Sequence, residues 1–202
     1  PTDKLVFNQS DMEYVSNAAA LWEVLKGYNV HFLSGHTHWN QNLHYGDSLM
    51  EHNTAAVCGI WWKADMCLDG TPRGCGVYEV DGNQLFWWYH SFGHLRDYQL
   101  RIYRPGTSKD HPNDIIANVW NYDDQWKVEW LENGKLMGRM TQFTGYDSEA
   151  AAICADKKKV EYDWIAPAQT THLFRATPKN AGARITVRAT DRFGRVYEVG
   201  LQ

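Results

Sequence analysis

Two histidines stand two residues apart at the end of an apolar segment, in the run Ser34-Gly35-His36-Thr37-His38. Neutral imidazole binds Zn, Mn, Fe and Ni, and this spacing can direct the rings of His36 and His38 towards one metal ion or two neighbouring ions. Gly35 is expected to permit a tight turn that a β-carbon would obstruct. Histidines near a strand end are often ordinary surface or hydrogen-bonded residues, so the motif alone leaves a metal site and a structural role as alternatives.

Further polar and aromatic residues follow the motif. His44 and His52 fall on an expected returning hairpin, where they either line the rim of a pocket or are simply exposed polar residues. Trp61-Trp62 and Trp87-Trp88 are adjacent pairs on predicted strands, which sends one indole of each pair to each face of a sheet. Burial accounts for one member of a pair, and the other either stacks on a substrate or packs against a second domain.

The element that positions the histidines is the segment Val30–Ser34. It is mostly apolar, which predicts a strand buried on both faces, and ligands in α/β proteins bind beyond the carboxyl ends of such strands. A helix is predicted before it. Ser10 to Glu13 form a capping box, apolar residues recur at three- and four-residue spacing as far as Leu25, and Gly27 ends the helix. Helix and strand together make half of an α/β unit.

The remaining residues predict β structure. The turn sequences Asp81-Gly82 and Asn133-Gly134 indicate two hairpins. Later strand-like segments and one short helix are expected at Leu173–Ala176, Ala183–Ala189, Arg195–Val199 and Ser148–Cys154. About seven short strands in the second half predict a small antiparallel β-sandwich. The predicted fold class is therefore α+β and mostly β, with one domain over residues 1–94 and a second over residues 95–202.

Composition narrows the class of protein. The 202 residues are 44% hydrophobic and 22% charged, with a net charge of -4. These values exclude a disordered chain and a disulfide knot, and the acidic balance argues against a nucleic-acid-binding surface. No apolar run reaches the roughly 18–20 residues of a membrane helix, so no membrane span is predicted. Seven of the nine histidines precede residue 95, which places any metal chemistry in the first segment.

The four cysteines, Cys58, Cys67, Cys75 and Cys154, show no zinc-finger spacing. Free thiols are one interpretation, and a Cys67–Cys75 bridge in an exported protein is the other. The cellular compartment therefore stays open, with export to a periplasm among the options.

The motif resembles a known family. A strand followed by Gly35-His36-Thr37-His38 is similar to the last signature block of the calcineurin-like metallophosphoesterases. The stretch from Ser34 to Trp62, with Asp69-Gly70-Thr71-Pro72 and the hairpin at Asp81-Gly82, resembles the closing half of that domain. The segment from Asn118 to Leu201 is similar to the β-sandwich attached to the C-terminus of one bacterial branch. The resemblance covers nearly the whole chain.

This resemblance implies an enzyme that hydrolyses phosphomonoesters or phosphodiesters with two divalent metal ions, which are Mn, Fe or Zn. It implies that His36 binds one ion, that His38 binds the other, and that Gly35 is the turn residue between strand and ligands. The candidates for lining the substrate pocket are Gly35, Thr37, His44, His52, Trp61 and Trp62. The substrate itself is a phosphoester of unspecified class.

The chain departs from the family pattern in one respect. Members also carry an Asp-x-His block, a Gly-Asp block, a Gly-Asn-His-Asp/Glu block and one further histidine upstream, and none of the three blocks precedes His36 here. We therefore interpret the chain as a C-terminal fragment that is inactive alone, whose partner is the missing N-terminal half of the domain. An exposed sheet edge in residues 1–94 would favour homo-oligomers.

A binding module is the alternative to an enzyme. Ten tryptophans and eleven tyrosines are many for this length, and aromatic faces on β-sandwiches stack on carbohydrate or on partner proteins. Under this interpretation His36 and His38 are incidental.

Overall fold

The computed structural model describes residues 15–180 and 182–201, which form mostly β structure. The helices are α1 (Ala18–Leu25) and α2 (Ser148–Ala155). The strands are β1 (Val30–Ser34), β2 (Gln41–Tyr45), β3 (Leu49–Asn53), β4 (Gly74–Asp81), β5 (Gln84–Ser91), β6 (Leu100–Tyr103), β7 (Ile115–Val119), β8 (Lys127–Glu132), β9 (Lys135–Arg139), β10 (Thr141–Tyr146), β11 (Gln169–Ala176), β12 (Ile185–Thr190) and β13 (Val196–Leu201). Neither described helix is long and apolar enough to cross a membrane. The predicted fold class is confirmed.

The first three strands form a sheet in the order β1-β3-β2. Strand β1 runs parallel to β3, and β2 and β3 form the expected antiparallel hairpin. Helix α1 packs on one face of this sheet, where Ala18 and Trp22 join the apolar cluster of Phe32 and Leu49. Among the described residues β1 pairs along one edge, and Leu33 is 58% exposed. The prediction that β1 is buried on both faces is therefore wrong. Trp87 covers His52 on the face that Leu33 shares, but β1 lies at the edge of the sheet and Leu33 stays exposed.

The predicted start of the first helix cannot be compared with the structure. The capping box from Ser10 to Glu13 lies outside the described residues, and the described part of the helix begins at Ala18. Its predicted end agrees well, since α1 stops at Leu25 and Gly27 follows with a left-handed φ of 90°.

Strands β4 and β5 form a two-stranded ribbon that reverses at the predicted turn, Asp81-Gly82. Trp87 is buried and meets His52 of the first sheet, with ring centroids 4.7 Å apart. Trp88 lies on the opposite face, beneath the guanidinium of Arg96 at 3.5 Å. The prediction that this tryptophan pair divides between the two faces of a strand is confirmed.

Strands β6 to β13 form two four-stranded antiparallel sheets, in the orders β10-β11-β7-β6 and β13-β12-β8-β9. Their facing side chains build the main apolar core, which contains Leu100, Ile115, Ala117, Val119, Val128, Trp130, Phe174, Ile185, Val187 and Tyr197. The β8–β9 hairpin turns through Asn133 and Gly134, whose φ angles of 52° and 82° suit the predicted two-residue turn. Asp147 caps α2 by accepting from the backbone N–H groups of Glu149 and Ala150. The predicted antiparallel β-sandwich is confirmed.

A buried polar network connects the loop before β4 with the sandwich. The Oδ2 atom of Asp69 accepts from the backbone N–H of Asn40 at 2.7 Å and lies 3.1 Å from Nε2 of His172. Nδ2 of Asn118 donates to the Asp69 carbonyl and to Asp147, so its Oδ1 faces Nδ1 of His172 at 2.7 Å. Both ring nitrogens of His172 therefore face acceptors. Side chains on both sides of residue 94 share this network, and the domain border there stays a prediction.

The four cysteines are all free thiols. Cys67 is fully buried, and its Sγ donates to the carbonyl of Ala56 at 3.4 Å. Burial raises the pKa of this thiol. The alternative of a Cys67–Cys75 bridge is therefore wrong for this structure, and the interpretation as free thiols holds.

Candidate metal site

The loop after β1 has a left-handed backbone at both motif histidines. The φ angles of His36 and His38 are 77° and 61°. Positive φ is uncommon outside glycine, and holding such a residue there costs about 1–3 kcal/mol. Gly35 has no positive φ, and an added Cβ would meet Thr54 Cγ2 at an ordinary 3.9 Å. The expectation that the turn requires a glycine at this position is therefore wrong, because the histidines themselves take the strained conformation.

Asn53, at the end of β3, holds this loop in place. Its Nδ2 donates to Oγ1 of Thr37 at 2.6 Å and to the carbonyl of Trp39 at 3.2 Å. The backbone N–H of Thr54 donates to the carbonyl of Ser34 at 2.9 Å. Thr37 and Asn53 are both buried. Thr37 was a candidate for lining the pocket. In the structure it is buried and anchors the loop that carries the two histidines on either side of it.

A buried carboxyl group lies next to the end of β1. Oγ of Ser34 donates to Oε1 of Glu51 at 2.7 Å, and the hydroxyl of Tyr45 lies 3.1 Å from Oε2. Burial raises the pKa of Glu51, and the hydrogen bonds from Ser34 and Tyr45 oppose that change. These contacts fix the last residue of the strand from which the histidine loop departs.

His36 is exposed, whereas His38 is half-buried against the loop between β3 and β4. Nδ1 of His38 lies 3.7 Å from Sγ of Cys58, and its ring centroid lies 4.5 Å from that of Trp61. Thiol and indole together restrict the orientation of the imidazole. Cys58 stands 20 residues away in the chain and forms no motif with His38, so no sequence pattern indicated this contact.

Trp61 and Trp62 lie in a tight turn with φ angles of 45° and 65°. Gly59 begins this turn with a φ of 55°, and an added Cβ there would lie 2.5 Å from a backbone carbonyl oxygen. The prediction that this pair lies on a strand is wrong, because the chain reverses at these residues. Trp61 packs on Trp164 of the segment after α2, with centroids 5.0 Å apart, while Trp62 is 70% exposed. No sequence pattern indicated the contribution of Trp164.

His52 lies inside the protein with 1% of its surface exposed. Its Nε2 lies 2.8 Å from Nδ1 of His31, and its Nδ1 lies 3.0 Å from Oδ1 of Asn42. Burial, followed by the neighbouring His31, lowers the pKa of His52 to about 3. The alternative of an exposed polar residue is therefore wrong for His52, whose ring is enclosed between the first sheet and Trp87.

His44 is exposed and belongs to a different cluster. Among the described residues, the group of three or more metal-type ligands with atoms within 4.8 Å consists of His44, Asp123 and Asp124. Arg192 already supplies a cation there, because its Nε donates to Oδ2 of Asp123 at 2.7 Å and its Nη2 lies 3.1 Å from Nε2 of His44. The arrangement is an ion-pair cluster between β2 and the sandwich.

A cavity of about 220 Å³ opens beside this cluster. Its lining includes Asn42, His44, Gln142 and His172, and contains neither of the motif histidines. The cavity is therefore separate from the loop after β1.

Comparison with known proteins identifies the family. The sequence model for the C-terminal part of calcineurin-like phosphoesterases matches residues 51–197. The chain belongs to this family. No curated protein and no solved structure gives a significant match. The matched calcineurin-like region begins within β3, includes Asn53, Cys58 and Trp61, and excludes His36 and His38 themselves.

Calcineurin-like phosphoesterases generally use divalent metal ions. The residues after β1 fit such an ion by donor type, since both motif residues offer imidazole nitrogens on a loop held by buried hydrogen bonds. Within residues 15–180 and 182–201, no group of three or more ligands includes His36 or His38. In the described part of the chain, the candidate site therefore consists of two imidazole groups that form no three-ligand cluster with another metal-type side chain.

Proposed function

We propose that this chain is the C-terminal part of a dinuclear metal-dependent phosphoesterase that hydrolyses phosphomonoesters or phosphodiesters. The match of residues 51–197 to the family carries the proposal. The position of the histidine pair supports it, because the pair precedes the matched region and its loop is held by Asn53 inside that region. In this proposal His36 and His38 each bind one divalent ion, which is Mn, Fe or Zn.

Bound divalent ions would supply Lewis-acid stabilisation of the negative charge on the phosphoryl oxygens and would activate water as the nucleophile. Other residues of this chain hold the two histidines in position. Asn53 and Thr37 hold the turn that presents both imidazoles, and this removes the need to order the loop when the metal binds. Cys58 and Trp61 orient the ring of His38, and the indole excludes water from one side of it.

Two imidazoles are too few for a dinuclear centre, so the remaining ligands come from the N-terminal half of the domain in this proposal. The outer edge of β1, which is unpaired among the described residues, is where a strand of that half would continue the sheet. We expect the 202-residue chain alone to bind metal weakly and to hydrolyse no phosphoester. Self-association through the same edge is the expected behaviour of the isolated chain.

The test compares variants of the complete protein that contains this chain. His36→Ala or His38→Ala should lower hydrolysis of p-nitrophenyl phosphate and bis(p-nitrophenyl) phosphate by more than about 100-fold with Mn, Fe or Zn, and should leave circular dichroism unchanged. His94→Ala is the matched control, because His94 is an exposed histidine that stacks on Tyr98. Near-normal turnover in either motif variant would contradict the site assignment.

A carbohydrate- or protein-binding module is the second candidate. The exposed indoles of Trp62 and Trp164 favour it, since large exposed aromatic side chains commonly mark binding surfaces. This function would be supported if an oligosaccharide or a protein partner still bound after divalent metals were chelated and after the His38→Ala substitution. Loss of all binding on chelation would favour the enzyme.

A further inference from the structure

A row of aromatic rings begins at His38 and leads outward from the candidate metal site. The imidazole lies 4.5 Å from the ring centroid of Trp61, and Trp61 meets Trp164 edge-on at 5.0 Å. Tyr162 then stacks almost parallel to Trp164, with an interplanar angle of 7° and centroids 5.5 Å apart. Together with Trp62 in the same turn as Trp61, these side chains form what we call the aromatic surface.

The aromatic surface faces solvent. Trp62 is 70% exposed, Trp164 is 65% exposed and Tyr162 is 47% exposed. Indole rings contribute much of the stability of a core when they are buried, so three large rings left exposed together do not serve the core of the described residues. A stacked and exposed pair of large rings such as Trp164 and Tyr162 is typical of a site that stacks on a ligand.

The aromatic surface is rigidly built. Ile60 and Ile165, the chain neighbours of Trp61 and Trp164, are buried in one apolar cluster, which fixes the two loops against each other. Nζ of Lys63 also lies 2.8 Å from Oε2 of Glu161 across the same two loops. A surface assembled in advance loses little freedom on binding, which favours affinity.

The backbone of the turn supports the same conclusion. Trp61 and Trp62 both have positive φ, which is a genuine outlier for bulky residues. The N–H of Trp62 donates to the carbonyl of Cys58 at 2.7 Å, so the strained turn is held by a short hydrogen bond. Strain of this kind persists where a side chain must be presented in one direction, and such positions cluster at ligand sites.

We propose that the aromatic surface binds the organic group of the phosphoester, and that this group carries a planar aromatic ring such as a nucleobase or an aryl group. The proposal rests on the proposed function, because a phosphate held at His38 places the ester's organic group beside Trp61. A flat aromatic ring suits the surface better than a sugar does. The polar side chains between its two loops, Lys63 and Glu161, already pair with each other, whereas sugar recognition needs polar partners for the hydroxyl groups.

The first test measures binding without phosphate or metal. Adenosine should bind the complete protein, as followed by NMR titration, and ribose should not. Trp164→Ala should weaken adenosine binding about 10-fold, and Trp164→Phe should restore most of it, because base stacking on an aromatic ring is of this size. The control is Tyr28→Ala, which removes an exposed aromatic ring elsewhere.

The second test measures specificity in hydrolysis. Trp164→Ala should lower kcat/KM about 10-fold for AMP and for phenyl phosphate, and should leave glycerol phosphate within about twofold. A loss for AMP alone would identify the base as the preferred ring, and equal losses would identify any aryl group. Both outcomes support a ring-binding surface.

Three results would overturn the inference. The first is an unchanged ratio of kcat/KM between ring-bearing esters and glycerol phosphate in Trp164→Ala. If His38→Ala still abolishes hydrolysis, this result leaves the proposed function intact. Protection of the tryptophans from iodide quenching in the complete protein would identify the surface as a contact with another part of the molecule. Absence of any phosphoester hydrolysis would remove the proposed function, and the inference would fall with it.

Discussion

Nε2 of His172 lies 3.1 Å from Oδ2 of Asp69, although 103 residues separate them in the chain and both side chains are almost wholly buried. Oδ1 of Asn118 lies 2.7 Å from the other ring nitrogen of His172, Nδ1, so both nitrogens of the imidazole have a polar partner. This pair ties the loop before β4 to strand β11 of the sandwich. Because buried polar groups need hydrogen-bond partners, this contact makes the loop before β4 and the sandwich depend on each other for stability.

Asp69→Asn should destabilise the protein strongly. The substitution keeps the shape of the side chain but removes a buried carboxylate that accepts from the backbone N–H groups of Asn40 and Thr71 and faces His172. Each buried polar group left without its partner costs about 1–3 kcal/mol. Urea unfolding measures the change. Asp65→Asn is the control, because Asp65 is 86% exposed and its contact with Arg73 lies at the surface. In a double-mutant cycle with His172→Ala, additive losses would contradict a direct coupling.

Gly70→Ala should cost clearly more stability than Gly134→Ala. The two glycines share nearly the same φ, 81° and 82°, so both substitutions carry the left-handed penalty of about 1–2 kcal/mol. An added Cβ at Gly70 would lie 2.2 Å from Cγ of Asp147, whereas nothing lies within 4 Å at Gly134. Overpacking should add about 1–3 kcal/mol at Gly70, measured by the urea midpoint. Equal midpoints for the two variants would show that Asp147 moves aside without cost.

Stability should fall as the pH is lowered below about 6.5. Burial, followed by the neighbouring His31, lowers the pKa of folded His52 to about 3, so the unfolded chain binds a proton that the folded protein excludes. The stabilisation is complete above the unfolded pKa and is lost progressively as the pH falls towards 3. One such group changes the free energy of unfolding by about 1.4 kcal/mol per pH unit in this window. Burial also lowers the pKa of His31, which adds to the effect.

Urea unfolding at pH 5 and pH 7.5 checks this dependence. His52→Gln should flatten it, and His94→Gln, at an exposed position, should not. Glu51 acts in the opposite sense, since burial raises its pKa and its protonation at low pH relieves a destabilisation. An unchanged slope in His52→Gln would refute the assignment to His52.

Metal content should depend on His38 and not on His44. The cluster of His44 with Asp123 already contains the guanidinium of Arg192, whose Nε donates to Asp123 at 2.7 Å, so a divalent ion would be repelled there. Mass spectrometry of the complete protein after Mn or Zn loading should show loss of metal in His38→Ala. In His44→Ala the metal content should equal that of the unsubstituted protein. Metal loss in His44→Ala instead would move the metal site to the other cluster.

Local sequence determined much of this fold. The turn at Asn133-Gly134 was predictable because both residues tolerate positive φ, and their φ angles of 52° and 82° meet that expectation. Strand β1 was predictable from its apolar run, and α2 lies where a short helix was expected at Ser148–Cys154. Each of these features depends on interactions between residues close together in the chain, which composition and spacing reveal.

The surroundings of the candidate site were decided by tertiary structure alone. We predicted a strand at Trp61 and Trp62. Both residues instead have positive φ angles, in a turn that begins at Gly59 and includes the buried Ile60. The contact of His38 with Cys58 likewise joins residues without any motif spacing. Hydrogen bonding and packing override local preference where a short segment has several accessible conformations.

The sequence by itself determined the family resemblance, the strand that presents His36 and His38, and the antiparallel sandwich that follows. Only the tertiary structure decided that His52 is enclosed, that Asp69 meets His172, and that Trp164 reaches the neighbourhood of His38. The physical reason is the separation along the chain over which each kind of interaction acts. Periodicity and turn chemistry act over a few residues, whereas burial and side-chain pairing depend on which distant segments the sheets bring together.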